Sequence, residues 1–346
     1  MAKPVLGLDL GSKYIKYVEM LQLGKGRFEL KSVGMTQSPA KGLNSDADID
    51  HEAMATVIKK LFKDGNVRTH VVNVALPETN VFTRVIQVPP LSERELSSAI
   101  KWEAEQYIPL PLAEVQMDFS IVGESLDTEG NKKLDVLLVA APKIVIERYN
   151  KVLDLCDLEV SAMETEIISA SRALLPSVAD KPLTVLVINL GAQTTDFSIL
   201  KGGVIIFTRS IPTGGVSFTQ ALSQDLGFPV PQAEEYKKTY GLQKDQLEGK
   251  VYHSLKPLFS VISEEIKRAL TYIQDKYPDE VISSVILSGG GAKLPGMVEI
   301  MVEETGIETQ VGNPWTRVQM NQERFNKLKD EGVVFAVAVG LAMREI

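Results

Sequence analysis

The chain has one cysteine, Cys156. No internal disulfide can form and no second thiol can complete a zinc site, which is the usage of a reducing, cytoplasmic compartment. Histidine is almost as scarce, and His51, His70 and His253 share no metal-ligand spacing, so they read as surface or locally bonded side chains. No apolar run approaches the roughly 20 residues that span a bilayer. The longest covers residues 333–343. The opening MAKPVLG carries one lysine and passes straight into a strand pattern, so no secretory leader is expected. Basic residues form no cluster. Lys plus Arg number 37 against 45 for Asp plus Glu, a net charge of -8, which argues against nucleic acid as the main ligand. A G-x-x-x-x-G-K-[ST] loop is absent, and no G-x-G-x-x-G stands in a strand–turn–helix setting, which removes P-loop and Rossmann chemistry. No Ser-His-Asp or Cys-His order is present either, and the sequence identifies no catalytic base.

What remains is a globular composition, 44 % apolar and 24 % charged over 346 residues, enough for two or three domains with full cores. Residues 5–20, VLGLDLGSKYIKYVEM, place two strand-forming runs around a turn at Gly11, with Asp9 where the first run ends. The same grammar returns at 185–200, VLVINLGAQTTDFSIL, turning after Asn189 and Gly191 through Thr194 and Thr195. A hairpin that occurs twice predicts two related halves facing each other. Opposed glycine turns could grip phosphates from both sides. Asp9 and Asp196 are candidate Mg²⁺ ligands through water; the alternative is two solvated turn carboxylates. Lys16 could contact phosphate or protect a strand edge.

Along the chain, residues 27–33 predict a third strand. Met54, Val57, Ile58, Leu61 and Phe62 predict a helix ending near Gly65, and residues 71–76 a buried strand. Ser92 with Glu95 is a capping box opening a helix that Pro109 and Pro111 end. Strands at 117–122 and 134–140, joined by a polar loop at 127–132, lead to a helix opened by Pro142 with Cys156 on its apolar side. Together these predict a small α+β module inserted in the first half. Residues 176–182 read as a linker. Gly214 and Gly215 precede a helix whose N–H groups would face a ligand beside the hairpins. Residues 229–249 are helical in part, and a long helix follows with Pro257 in its first turn or at a kink. A strand at 281–287 runs into Ser288, Gly289, Gly290 and Gly291, where a flat ligand could lie against bare backbone. Residues 332–343 form a small-residue packing helix. Trp102 and Trp315 read as packing residues.

These motifs resemble the actin-like ATPase superfamily. Its first phosphate motif looks like Asp9, Gly11, Ser12 and Lys13 with Lys16, its second like Asn189, Gly191, Thr194, Thr195 and Asp196. Its adenosine motif looks like Gly289, Gly290 and Gly291 with Lys293, and its A-E-x-x-K segment like Glu234 and Lys237. Residues 84–115 are similar to the marker stretch of the PilM family of type IV pilus assembly proteins, whose inserted subdomain resembles that of the division protein FtsA. The resemblance implies an α/β fold of the actin type, a ribonuclease H-like duplication with two facing domains and an inserted FtsA-type α+β subdomain. It divides the chain into 1–84 with 164–180, an insert at 85–163, a second half at 181–228 with 280–346, and a smaller subdomain at 229–279.

It also implies ATP or ADP with Mg²⁺ in the cleft, and docking of the N-terminal cytoplasmic peptide of PilN. PilO and PilP would be indirect partners, with the pilus motor ATPases and PilC nearby, at the cytoplasmic side of the inner membrane through partners alone. Asn189 departs from the superfamily, which usually has Asp there, so nucleotide binding with slow or negligible turnover is expected. The rival readings are a small-molecule kinase of the same fold, for which no base or sugar-binding insert is visible, and an FtsA-like division filament. The FtsA family ends in a linker and membrane helix, which the pattern after the packing helix does not supply.

Overall fold

The computed structural model describes residues 3–24, 26–126, 130–175 and 183–344. The linker expected at 176–182 and residues 127–129 of the expected polar loop lie outside the described residues. The first half begins with β1 (Val5–Leu10), β2 (Tyr14–Gly24) and β3 (Arg27–Gln37), then α1 (Asp48–Asp64) and β4 (Val71–Leu76). The inserted module follows: β5 (Phe82–Val88), α2 (Glu93–Tyr107), β6 (Val115–Leu126) and β7 (Lys132–Pro142). Then come α3 (Lys143–Leu155), β8 (Glu159–Thr165) and α4 (Glu166–Leu174). The second half has β9 (Thr184–Leu190), β10 (Thr195–Lys201), β11 (Val204–Ile211), α5 (Gly215–Leu226), α6 (Val230–Tyr240) and α7 (Lys250–Lys276). It continues with β12 (Ile282–Ser288), α8 (Met297–Thr305), β13 (Thr309–Val311), β14 (Val318–Gln319), α9 (Gln322–Leu328) and α10 (Ala336–Ala342).

The duplication is written in the strand order. One sheet runs β3-β2-β1-β4-β8 with β14 added outside β3, and the other runs β11-β10-β9-β12-β13. In both, the first three strands form an antiparallel meander and the last two add in parallel to its first strand. β9 is buried at all seven positions, which is why it runs apolar from Val185 to Ile188 instead of alternating. The inserted sheet, β5-β7-β6, packs α2 on one face through Leu96, Ile100 and Ala104. The capping box at its start is real: the Glu95 carboxylate accepts from Ser92 N at 3.0 Å and from its hydroxyl at 2.6 Å.

Strand β5, strand β8 and helix α4 have no counterpart among the elements expected from the sequence. Pro257 lies inside α7, beyond its first turn. His51 is buried, its Nε2 2.9 Å from Ser45 O, and Trp102 is 75 % exposed, so it is no packing residue, whereas Trp315 is buried. Cys156 is buried as expected, and burial pushes its thiol up to about 11, which makes it inert at neutral pH.

The C-terminal helix ties the first half together. α10 packs against both β1 and α4, and two glycines permit the approach. A Cβ on Gly7 would lie 2.6 Å from Ala342 N, and one on Gly340 would lie 2.5 Å from the Ser169 carbonyl carbon. The two helices are also hydrogen-bonded: Ser169 Oγ donates to Val337 O at 2.7 Å and Arg172 to Gly340 O at 2.8 Å.

Candidate functional site

A cavity of about 660 Å³ lies between the two repeated sheets, lined by both hairpin turns. The turns are built alike. A Cβ on Gly11 would meet Tyr14 O at 2.8 Å, and one on Gly191 would meet Thr194 O at 3.0 Å. Neither glycine has positive φ, so each is required by close backbone approach. Strand β3 braces the first turn, with Ser38 Oγ donating to Gly11 O at 2.6 Å and Ser38 N to Lys13 O at 3.0 Å. Asp9, 3 % exposed, faces Lys16 across the β1–β2 ladder, and the Lys16 ammonium donates to its carboxylate. Lys16 is thus a partly buried counter-charge instead of a free surface lysine.

The opposite wall comes from α5, α6 and the turn after β12. Lys237, 5 % exposed, donates to Gly215 O at 2.7 Å, to Thr219 Oγ1 at 2.8 Å and to Glu234 at 2.7 Å. These bonds fix α6 to the start of α5. Burial favours the neutral form of Lys237 and draws its pKa down against the attraction of Glu234. Burial also opposes the charge on Glu234, but hydrogen bonds from Lys13, Lys237 and Thr219 win and hold its carboxyl well below the usual range. Gly289, at φ 78, and Gly291 press on the end of β9, where a Cβ would meet Leu190 O at 2.5 Å and Leu190 Cβ at 2.6 Å respectively. Gly290 faces open space.

Asp9, Gly11, Ser12, Lys13, Lys16, Asn189, Gly191, Thr194, Gly215, Glu234, Lys237, Gly289, Gly290, Gly291 and Lys293 all line this one cavity. Thr195, Gly214 and Asp196 stand behind it. Thr195 Oγ1 donates to Thr213 O at 2.8 Å, and Gly214 lies against Ala192. The N–H groups of Gly215 and Val216, read from the sequence as facing a ligand, donate instead to the second turn at Gly191 O (3.0 Å) and Ala192 O (2.8 Å).

Asp196 is fully buried and accepts from Ser210 Oγ at 2.5 Å and Thr194 Oγ1 at 2.9 Å. Burial pushes it up to about 6. Among the described residues no three acidic, His or Cys side chains are grouped to hold a metal ion. Asp9 offers a single carboxylate at the cavity wall, which fits a Mg²⁺ that keeps most of its waters and takes other ligands from phosphate.

The sequence reading missed Glu166, the first residue of α4, which also lines the cavity. Burial, then the charges of Asp9 and Asp196, raise its carboxyl well above the ordinary value. A signal was present: Thr165 caps the helix, and Ile167, Ala170 and Leu174 recur at three and four. Also missed was a lobe formed by Leu43, Asn44, Thr79, Arg148 and Tyr149, assembled by distant segments that no local pattern joins.

Glu78 lies behind this acidic floor. It is 7 % exposed, and one carboxylate oxygen has no hydrogen-bond partner. Burial, aided by Asp196, raises it to about 8. Between pH 4.5 and about 8 the folded chain therefore holds a proton that the unfolded chain has released, so stability falls as pH rises through that window. Glu78→Gln keeps the shape of the protonated acid. The variant should gain on the order of 3 kcal/mol at pH 9 and little at pH 5. Urea unfolding across that range reads the difference, and identical pH slopes for the two proteins would contradict the burial argument.

Comparison with known proteins places these features. The family model described as "Type IV pilus assembly protein PilM" matches residues 7–346. A solved PilM-PilN type IV pilus biogenesis complex contains a chain 28 % identical, with a TM-score of 0.86 and 99 % of both chains covered. The division protein FtsA of Pseudomonas aeruginosa is 23 % identical, covering 96 % of this chain and 88 % of its own length. MreB5 of Spiroplasma citri, solved with ADP, is 14 % identical with a TM-score of 0.55, covering 99 % of this chain and 95 % of its own, a likeness of fold alone. The actin-type fold expected from the sequence is thereby shown.

Proposed function

The chain belongs to the PilM family of type IV pilus assembly proteins, and from that premise we propose a nucleotide-responsive assembly component whose cleft takes ATP or ADP with Mg²⁺ and whose partner is the N-terminal cytoplasmic peptide of PilN. The observation that carries the nucleotide reading is the pair of matched hairpin turns on opposite walls of one cavity. The similar solved complex, which pairs PilM with PilN, supports PilN as the partner. In this reading the protein works at the cytoplasmic face of the inner membrane, with PilO and PilP reached through PilN and the motor ATPases and PilC nearby. Among the described residues no helix is long and apolar enough to cross a membrane, which agrees with attachment through partners. The division into two halves, an insert and a smaller subdomain at 229–279 is part of the same proposal, with the insert drawn shorter than 85–163 because β8 pairs with β4 in the first half's sheet.

Bound Mg²⁺ would neutralise phosphate charge beside Asp9. The chain's own residues favour holding over cleaving. The Asn189 amide can neither accept a proton nor orient a metal-bound water as a carboxylate would. Asn189 pairs directly across the ladder with Asp196, where a carboxylate would add like charge to a buried acid. Glu166 lines the cavity wall with its carboxyl raised by burial and by the charges of Asp9 and Asp196, so the case against cleavage rests on Asn189. Turnover is accordingly slow or absent.

Because nucleotide would touch both halves, its occupancy and peptide binding should be coupled reciprocally. Titration of a PilN N-terminal peptide with saturating ATP and without nucleotide should give Kd values differing by about fivefold or more. Equal values would remove nucleotide response from the proposal.

A further inference from the structure

Lys13 and Glu234 stand on opposite walls of the cleft, 221 positions apart in the chain, and their charged ends meet at 2.6 Å. Lys13 belongs to the β1–β2 turn and Glu234 to α6. Their side chains are 35 % and 18 % exposed, so the bridge is reachable from solvent yet too enclosed to be a free surface pair. The two ends differ in freedom. Glu234 is pinned through its second oxygen by Thr219 at 2.5 Å and Lys237 at 2.7 Å. Lys13 has a flexible stem and, among the described residues, its ammonium pairs with this carboxylate alone.

We propose that the Lys13–Glu234 bridge is a selectivity latch, admitting phosphorylated nucleosides to the cleft and excluding nucleosides without phosphate. The inference rests on the nucleotide reading above. Lys13 and Glu234 both line the cavity and the bridge spans it, so a ligand that seats between these walls has to part it and Lys13 has to let go. Phosphate offers the displaced ammonium a new charge-assisted partner. A nucleoside offers only hydroxyls and leaves the ammonium half-buried without an anion. The low-lying carboxyl of Glu234 keeps it charged, and the latch set, at neutral pH.

Calorimetry of the full chain with ATP and with adenosine tests this on the native protein, Lys13→Gln and Lys13→Arg. Lys13→Gln removes the nearer of two cations on that Glu234 oxygen, leaving the more exposed Lys238 at 3.4 Å, so it should bind adenosine about fivefold more tightly than the native chain while binding ATP more weakly. Lys13→Arg can rebuild the bridge and should leave adenosine weak. Added salt should strengthen adenosine binding to the native chain more than to Lys13→Gln, where only the exposed Lys238 remains beside Glu234. Adenosine affinity that is unchanged or lower in Lys13→Gln, with ATP still bound by the native chain, overturns the latch. Failure of every chain to bind either compound overturns the nucleotide reading and the latch with it.

Discussion

Gly340→Ala should destabilise the chain by roughly 3 kcal/mol, which for 346 residues lowers the melting temperature by about 4 °C. The added methyl has no room, because the α10 backbone rests on the α4 backbone at Ser169. Relieving the clash means separating the helices, which stretches the Ser169–Val337 and Arg172–Gly340 hydrogen bonds at the same crossing. Each such bond contributes about 1 kcal/mol. The gain in helix propensity, about 1 kcal/mol for Ala over Gly, is too small to offset the clash. The effect should reach the cleft, since α4 begins with Glu166 and α10 packs against β1, which carries Asp9. A melting temperature within about 1 °C of the native value would show that the helices can part cheaply.

The hairpins were legible because their information is local. An apolar run, an Asp or Asn, a glycine that cannot carry a Cβ and a second apolar run all fall within sixteen residues, and they recur in the second half in the same order. The Ser92–Glu95 capping box is local in the same way. What escaped the sequence reading is made by distant segments. The Lys13–Glu234 bridge joins positions 221 apart and the Ser169–Val337 bond positions 168 apart, and no periodicity announces either. Helix α4 escaped because nine residues give barely two turns of pattern. With it went Glu166, the acid that closes the cavity floor.

The site residues chosen by type divide by a similar rule. Lys237 reads from the sequence as a ligand contact, and it does line the cavity. Its ammonium is nevertheless committed to Gly215, Thr219 and Glu234, so any part in binding passes through the geometry of Glu234. Gly214 and Gly215 read as one helix-start motif, yet Gly215 faces the cavity while Gly214 fits against the neighbouring turn. The sequence identified the segments; packing decided which atoms are available.

Asp9 is where the central claim meets experiment. Its carboxylate lies at the end of β1, buried against Lys16, in the cavity that both hairpins line. Asp9→Asn preserves the shape and an acceptor for Lys16 while removing the charge that would face a hydrated Mg²⁺. With Mg²⁺ present the variant should bind ATP about 10- to 100-fold more weakly than the native chain. With Mg²⁺ chelated the gap should close or reverse, because the lost carboxylate would then have repelled the phosphates. Calorimetry of ATP on both chains, with and without Mg²⁺, is therefore the most direct measurement. A large Mg²⁺-dependent loss in Asp9→Asn is the result predicted, and equal ATP affinity in the two chains with Mg²⁺ present would contradict the cleft as a nucleotide site built around Asp9.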